Sequence, residues 1–294
     1  MSAAKSLTWL VTGSSSGFGL TLSRTILAHG HNVIATSRKP SRTPEYVKEI
    51  ESTPRGKWLT LDVAADATTI NSTIEEAKSV FGTIDVLINN AGYSVFGTAE
   101  DIPEDKAKQE FEVNFWGAIR VAKAVLPIMR AQRSGTIVNM SSIAGIHAAP
   151  SVSIYSASKF ALEAWSESLC QEVGPLGLRV LIIEPGAFRT NFLGADAMQS
   201  IPASEDYKDG PADMMLRNYS QREGKQPGNP EKGCERIVCN IEKGLKKDEL
   251  GKIEHLRLPL GQDCYDRILA KMDALHQNWK NTKDEALGVE FEGE

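Results

Sequence analysis

Tyr155 and Lys159 stand four residues apart in the stretch IYSASKFAL, residues 154–162. On a helix that spacing makes them neighbours on one face, with Cβ atoms about 5–6 Å apart. Each side chain ordinarily gives up its proton near pH ~10. A cation held against a phenol favours the phenolate, so the lysine could make the tyrosine a usable acid near neutral pH. A solvated helix face would show the same spacing by chance. The intervening Ser156, Ala157 and Ser158 are small and leave room for close neighbours.

A second chemical feature is TGSSSGFG, residues 12–19, which follows the first apolar run directly. Its Gly13, Gly17 and Gly19 are spaced GxxxGxG, unlike the general GxGxxG dinucleotide fingerprint. The same mechanics apply. Gly13 lets the chain turn off a strand, Gly17 and Gly19 let backbone approach a pyrophosphate, and the next helix points its N-terminus at the anion. Ser15, Ser16 and Phe18 share the loop and join the candidate cofactor contacts. A tight turn alone needs such glycines too; the strand–loop–helix–strand context favours a nucleotide. NAD-selecting proteins place Asp or Glu about 20 residues past the glycines. Here TSRK occupies 36–39 with no acid. A guanidinium can grip a 2′-phosphate with paired hydrogen bonds, so NADP(H) is the expected cofactor, with Ser37 and Arg38 as its readers.

These residues need a frame to position them. Short, nearly continuous apolar runs occur at 7–12, 32–37, 57–62, 84–89, 136–141 and 179–184, as expected of strands buried on both faces. Helical patterns lie at about 17–29, 67–81, 104–131 and 154–174; Gly30 reads as the first C-cap, and Gly174-Pro175 ends the last. This alternation predicts an α/β Rossmann fold, a doubly wound parallel sheet of about seven strands with helices on both faces. The regularity fails after Glu184. Residues 193–230 are rich in Gly, Pro, Asp, Ser and Gln, yet carry Met198, Tyr207, Met214, Met215 and Tyr219. A lid is expected there, its methionines forming either a pliable substrate surface or a pin to the body. A helical extension is expected over about 230–280, with helices near 230–244 and 263–279, and the acidic tail from Asp284 is expected to fray. No repeat or boundary divides the 294 residues, so one domain over 1–294 is expected.

The bulk numbers exclude some classes. Against 33 Lys and Arg stand 38 Asp and Glu, a net charge of −5 without a basic run, which argues against a nucleic-acid surface. No apolar run approaches membrane-spanning length, and no leader pattern precedes the first strand. The four cysteines, Cys170, Cys234, Cys239 and Cys264, form no CxxC pair; free thiols in a reducing, cytoplasmic setting are expected, and no metal.

Taken in order, TGSSSGFG, LDV at 61–63, NNAG at 89–92, VN at 113–114, NMSS at 139–142, YSASK at 155–159 and PGAFRT at 185–190 resemble the short-chain dehydrogenase/reductase family over about residues 7–192. Ser142 lies thirteen residues before Tyr155, as that family's pattern requires. The resemblance implies a catalytic tetrad. Tyr155 would exchange the proton, Ser142 would hold the substrate oxygen, and Lys159 would bind the nicotinamide ribose and lower the tyrosine's pKa. Asn114 would bridge to Lys159 through water. It also implies Asp62 and Val63 at the adenine, Asn90, Ala91 and Gly92 along the adenosine side, and Pro185, Gly186, Phe188 and Thr190 around the nicotinamide. His147 either lines the pocket or is structural. The implied reaction is hydride transfer between NADP(H) and a ketone/secondary alcohol pair, with elimination, cyclisation or non-catalytic NADP(H) sensing as alternatives. PGAFRTNF and the chain length resemble the branch containing 17β-hydroxysteroid and retinol dehydrogenases, which implies a bulky apolar small-molecule substrate. A homodimer or homotetramer pairing through the 104–131 and 154–174 helices is expected by resemblance only.

Tyrosine would have to fall by about three pH units to work near neutrality, a differential of roughly 4 kcal/mol. One exposed lysine could not supply that; a lysine in a water-poor cleft, aided by an oxidised nicotinamide ring, could. A serine hydroxyl within reach would stabilise the oxyanion left by hydride transfer.

Overall fold

The computed structural model describes residues 6–194, 197–244 and 256–291. In chain order its elements are β1 (Thr8–Val11), α1 (Gly17–Ala28), β2 (Asn32–Ser37), α2 (Pro44–Glu51), β3 (Gly56–Thr60), α3 (Ala67–Phe81), β4 (Val86–Asn89), β5 (Ser94–Phe96) and α4 (Glu104–Phe111). A π-helical turn, Glu112–Gly117, joins α4 to α5 (Ala118–Gln132). There follow β6 (Gly135–Met140), α6 (Ser153–Val173), β7 (Leu178–Pro185), β8 (Met198–Ser200), α7 (Pro211–Gln221), α8 (Pro230–Glu242), β9 (Arg257–Leu260), α9 (Gln262–Asn281) and α10 (Lys283–Ala286).

Seven strands form one sheet in the order β3-β2-β1-β4-β6-β7-β9, every pairing parallel. Successive strand residues point to opposite faces, so a run apolar at every position supplies two cores at once. On one face Leu10, Ile34, Leu87, Ile137 and Val180 pack on Ile74, Val125 and Leu169 of α3, α5 and α6. On the other, Trp9, Val33, Ile88 and Leu181 pack on Leu22, Ile26 and Ile237 of α1 and α8. Leu10, Ile34 and Leu87 are 0% exposed, and each such side chain contributes about 1.5–3 kcal/mol of burial energy. The strand order reverses between β1 and β4, and the crevice at the carboxyl ends there is where such sheets bind ligands.

Several expectations are corrected. The helix expected over 104–131 is interrupted by the π turn, which puts an extra residue into the ladder around Asn114. The 193–230 stretch holds β8, a 3₁₀ turn at Glu205–Tyr207 and α7; residues 195–196 lie outside the described residues. β8 pairs in parallel with β5 in a separate two-stranded sheet, tying this segment to the loop after β4. Within it Met198 packs against an apolar cluster containing Tyr155, whereas Met214 is largely exposed. The extension has helices at Pro230–Glu242 and Gln262–Asn281, with the edge strand β9 between them, and residues 245–255 lie outside the described residues. The acidic tail begins with a single helical turn, Lys283–Ala286; its last three residues are likewise outside. Gly30 follows α1 with φ +78°, the left-handed conformation of a helix stop.

Candidate active site

The cofactor side is built around β1 and its loop. Gly13 has φ +69°, and a Cβ there would lie 2.8 Å from the Ala91 Cα, so the loop turns sharply and presses on the NNAG segment. Asn90 laces the two together: its side-chain amide donates to the Thr12 and Gly13 carbonyls at 2.9 and 3.0 Å. The Asn90 and Ala91 amides donate to the Thr12 hydroxyl at 2.9 and 3.0 Å. A Cβ on Gly19 would sit 2.2 Å from the Gly13 carbonyl oxygen, so this glycine is demanded by the loop's own packing as well as by any ligand. Ser16 starts α1 in extended conformation and makes no side-chain cap. The helix end therefore presents its first amides to the crevice. Ser15 is half-buried beside it. Phe18 packs on Phe188, ring centroids 5.1 Å apart.

The other expected cofactor residues fall on the same rim. Arg38 is exposed at the end of β2, and its charge acts on the Tyr93 phenol across the crevice. Ser37 departs from expectation: it is buried, and its hydroxyl accepts from Trp58 Nε1 at 3.1 Å. Asp62 accepts from the Ala64 amide at 3.0 Å, shaping the turn after β3; the N-cap of α3 is Asp66. Val63 is buried against Gly117 of the π turn. Pro185 ends β7. Gly186 has no room for a Cβ, which would meet the Asp263 carboxylate at 2.2 Å, and the same carboxylate accepts from the Ala187 amide at 2.9 Å. Thr190 stands against Gly17 and accepts from the Phe192 amide at 3.3 Å. Two left-handed glycines, a bare helix N-terminus and a free guanidinium at the end of β2 together fit a dinucleotide.

At the inner end of this crevice lie the four tetrad positions. Tyr155 is in the first turn of α6 and Lys159 one turn on, its Nζ 5.7 Å from the Tyr155 ring centroid. Lys159 is buried and donates to the Met140 carbonyl at 2.8 Å. Ser142 begins the 3₁₀ turn after β6, accepts from the Ala144 amide at 3.1 Å and hydrogen-bonds the Tyr155 phenol. Asn114, on the π turn, is fixed by its neighbours: its amide donates to the Tyr93 carbonyl at 2.8 Å and the Ser158 hydroxyl at 3.3 Å, while its carbonyl oxygen accepts from the Tyr93 amide at 3.0 Å. A Cβ on Gly92 would lie 3.0 Å from that carbonyl oxygen and 3.7 Å from Lys159 Nζ, so the NNAG turn closes the space between them. His147 is half-buried with an unpartnered Nδ1.

Electrostatics at the pair differ from the expected lowering of the tyrosine. Burial pushes the Tyr155 phenol well above its ordinary value, against the opposing hydrogen bond from Ser142. Burial likewise brings Lys159 down to about 8, opposed by Glu110 and Glu163. The protein alone thus makes both charged forms costly, and the positive charge that would favour the phenolate has to be supplemented.

Behind the tetrad is an ionic network whose residues sequence patterns gave no reason to single out. Glu163, one turn beyond Lys159, accepts from Ser141 Oγ at 2.5 Å and pairs with Arg257 Nη1 at 2.5 Å. Arg257, from β9, also pairs with Glu184 and Glu167. Burial raises the Glu163 carboxyl and pushes Glu184 up to about 7. Glu110 is another buried carboxyl near the site. Glutamates at helical spacing pass for solvated positions until their neighbours are known.

Fold and crevice together define a protein of the nucleotide-binding α/β class. The short chain dehydrogenase family model matches residues 8–199. The chain is 41% identical to "Oxidoreductase BOA17" of Botryotinia fuckeliana (strain B05.10), with 92% of this chain and 96% of that protein covered. It is 37% identical to the 3-ketodihydrosphingosine reductase of Bacteroides thetaiotaomicron, with 79% and 82% covered. A short-chain dehydrogenase structure from Streptomyces avermitilis superposes with a TM-score of 0.85 at 34% identity, covering 98% of this chain and all of that one. The chain belongs to the short-chain dehydrogenase/reductase family.

Proposed function

We propose that this chain is an NADP(H)-dependent oxidoreductase that interconverts a ketone and a secondary alcohol, with Tyr155 as the general acid and base. The observation that carries the reading is the meeting of Tyr155, Ser142, Lys159 and Asn114 at the inner end of the glycine-loop crevice, while Arg38 stands free at its outer end. Bound NADP(H) would supply the hydride, held by Gly13, Gly17, Gly19, Arg38, Asn90, Gly92 and Thr190.

The chain's own residues do the rest. Ser142 holds the substrate oxygen and orients the Tyr155 hydroxyl toward it. The phenol gives a proton to that oxygen in reduction and takes one in oxidation. Lys159, kept beside the phenol, supplies the positive charge that makes phenolate attainable; its bond to the Met140 carbonyl aims the ammonium. Asn114 pins the NNAG turn against Lys159.

A bulky apolar substrate is supported by the wall around the phenol. Phe96, Val152, Leu216, Phe192 and Met198 cluster with Tyr155, and the Phe192 ring centroid is 5.7 Å from that of Tyr155. The segment from β8 to α7 supplies part of this wall and is the proposed substrate lid. The relative named 3-ketodihydrosphingosine reductase acts, by that name, on a keto group, which agrees in reaction class. The test is NADPH oxidation against a panel of ketones, from small to steroid- and lipid-sized. Tyr155→Phe is expected to lower turnover at least a thousandfold while NADPH affinity changes less than about threefold. Wild-type-like turnover in that variant would sink the mechanism.

A further inference from the structure

Glu110 is on α4, one helical turn before Asn114, and is 0% exposed. Neither of its carboxyl oxygens makes a hydrogen bond of normal geometry, although the Val95 amide of β5 lies close enough to favour the ionised form. The ionisable groups that face it come from two other elements: Lys159 and Tyr155 from α6, and Tyr93 from the turn after β4. The Tyr93 hydroxyl is also buried and unpartnered. A buried carboxyl without partners is costly, and an apolar residue would fill this part of the core more cheaply. The tetrad uses Asn114, on the same helical segment, but leaves Glu110 without a role.

We propose that Glu110 is the buried counter-charge of the Tyr155–Lys159 pair, and that its protonation state sets the pH at which the pair takes up and releases protons. The inference rests on the reading of Tyr155 as the acid–base group. Burial raises Glu110 to about 8 and lowers Lys159 to about 8, so the two change charge over the same range. Ionised Glu110 opposes loss of a proton from Tyr155 and from Lys159 alike. At an effective dielectric constant near 20, unit charges about 8–12 Å apart in general shift one another by roughly one to two pH units. The other charged groups are separate: Glu163 acts on Lys159, Tyr219 on Tyr155 and Arg38 on Tyr93.

The sign is fixed. Without the carboxylate, both Tyr155 and Lys159 lose their protons at lower pH. Reduction needs the protonated phenol, so its high-pH fall-off moves down. Oxidation needs the phenolate, so its low-pH rise also moves down. Glu110→Gln keeps the shape and removes the charge. It is expected to move either limb of the pH–rate profile down by about one unit, while Glu110→Asp stays near wild type.

A substrate-free measurement accompanies it: the infrared carbonyl band of a protonated carboxylic acid, recorded for the full chain with NADP. Glu184 contributes a band of its own that titrates at about 7, so the readout is the wild-type minus Glu110→Gln difference, expected to show a carbonyl band near pH ~6 that is lost as the pH passes about 8. An unmoved profile, a uniform loss of rate without displacement of the limbs, or no difference band at pH ~6 overturns the proposal. Tyr155→Phe run in parallel separates the two readings. Turnover surviving in that variant defeats the acid–base assignment and with it the counter-charge role, whereas a dead Tyr155→Phe beside an unmoved Glu110→Gln profile defeats the counter-charge alone.

Discussion

Replacing Arg257 with Met should destabilise the chain by an amount that grows with pH. Arg257 pairs with Glu163, Glu184 and Glu167; the first two carboxylates are 3% and 1% exposed as side chains, while Glu167 is 50% exposed and contributes little. Methionine keeps most of the stem and removes the guanidinium that favours the ionised form of Glu184. Breaking a buried pair costs about 3–5 kcal/mol. Arg257 is itself 31% exposed, so water reaches the site and about 2–4 kcal/mol is the expected loss near pH ~8.5. Glu184 titrates at about 7 in the folded chain, above the unfolded glutamate value of ~4.3. A carboxyl raised on folding binds a proton that the unfolded chain has released, so stability falls as pH rises through that window, by about 1.4 kcal/mol per proton per unit. In the wild type the fall ends near 7. In the variant it continues above 7, because Glu184 stays protonated to higher pH. Below pH ~6 both proteins hold it neutral, and the loss should shrink to about 1 kcal/mol. Urea denaturation at the two pH values measures this, and Arg257→Met/Glu184→Gln should recover much of the loss at high pH. Equal losses at both pH values would refute the reasoning. Because Glu163 also holds Ser141, next to Ser142, the variant should lose turnover as well.

Three further outcomes are expected. Arg38→Ala should weaken NADPH binding about 10- to 100-fold, the worth of a charged hydrogen bond to phosphate, and leave NADH within about twofold in fluorescence titrations; equal effects on both would remove Arg38 from the 2′ site. Gly19→Ala puts a methyl 2.2 Å from the Gly13 carbonyl oxygen and 2.6 Å from the Asn90 amide nitrogen. It should cost about 1–3 kcal/mol in thermal unfolding and at least tenfold in NADPH affinity. Trp116 and Phe160 are 49% and 40% exposed on the helical segments expected to pair between copies, so a dimer or tetramer formed through them should sediment as a monomer after Trp116→Glu with Phe160→Glu, and an unchanged mass would remove these helices as the interface.

What was legible in the sequence follows from periodicity and local chemistry. Runs such as RVLIIE announce themselves because a strand covered on both faces is apolar at every position, and TGSSSGFG and YSASK are short unbroken stretches of eight and five residues. The remainder depended on distant partners. β9 is four residues long with Pro259 inside it, tolerable only because it lies at the sheet edge. α2 and β8 were too short for any period to emerge. Glu163 is a buried anchor through Ser141 and through Arg257, the latter ninety-four positions away. Ser37 has the place of a cofactor reader at a strand end, but its hydroxyl pairs with Trp58 on β3, a contact between strands that local sequence does not carry.

The π turn at Glu112–Gly117 carries a further consequence. It is a phase change between α4 and α5. Residues on either side are out of angular step by one position, about 100°, relative to an unbroken helix. α5 is clamped to the sheet through Val121, Val125 and Met129. Straightening the turn into α-helix with every residue kept would therefore leave α5 seated and swing α4, turning Glu110 out of the interior, whereas excising the one extra residue would close the ladder with both helices in place. Loss of a single codon here would flatten the turn that carries Asn114 and leave Glu110 where it is.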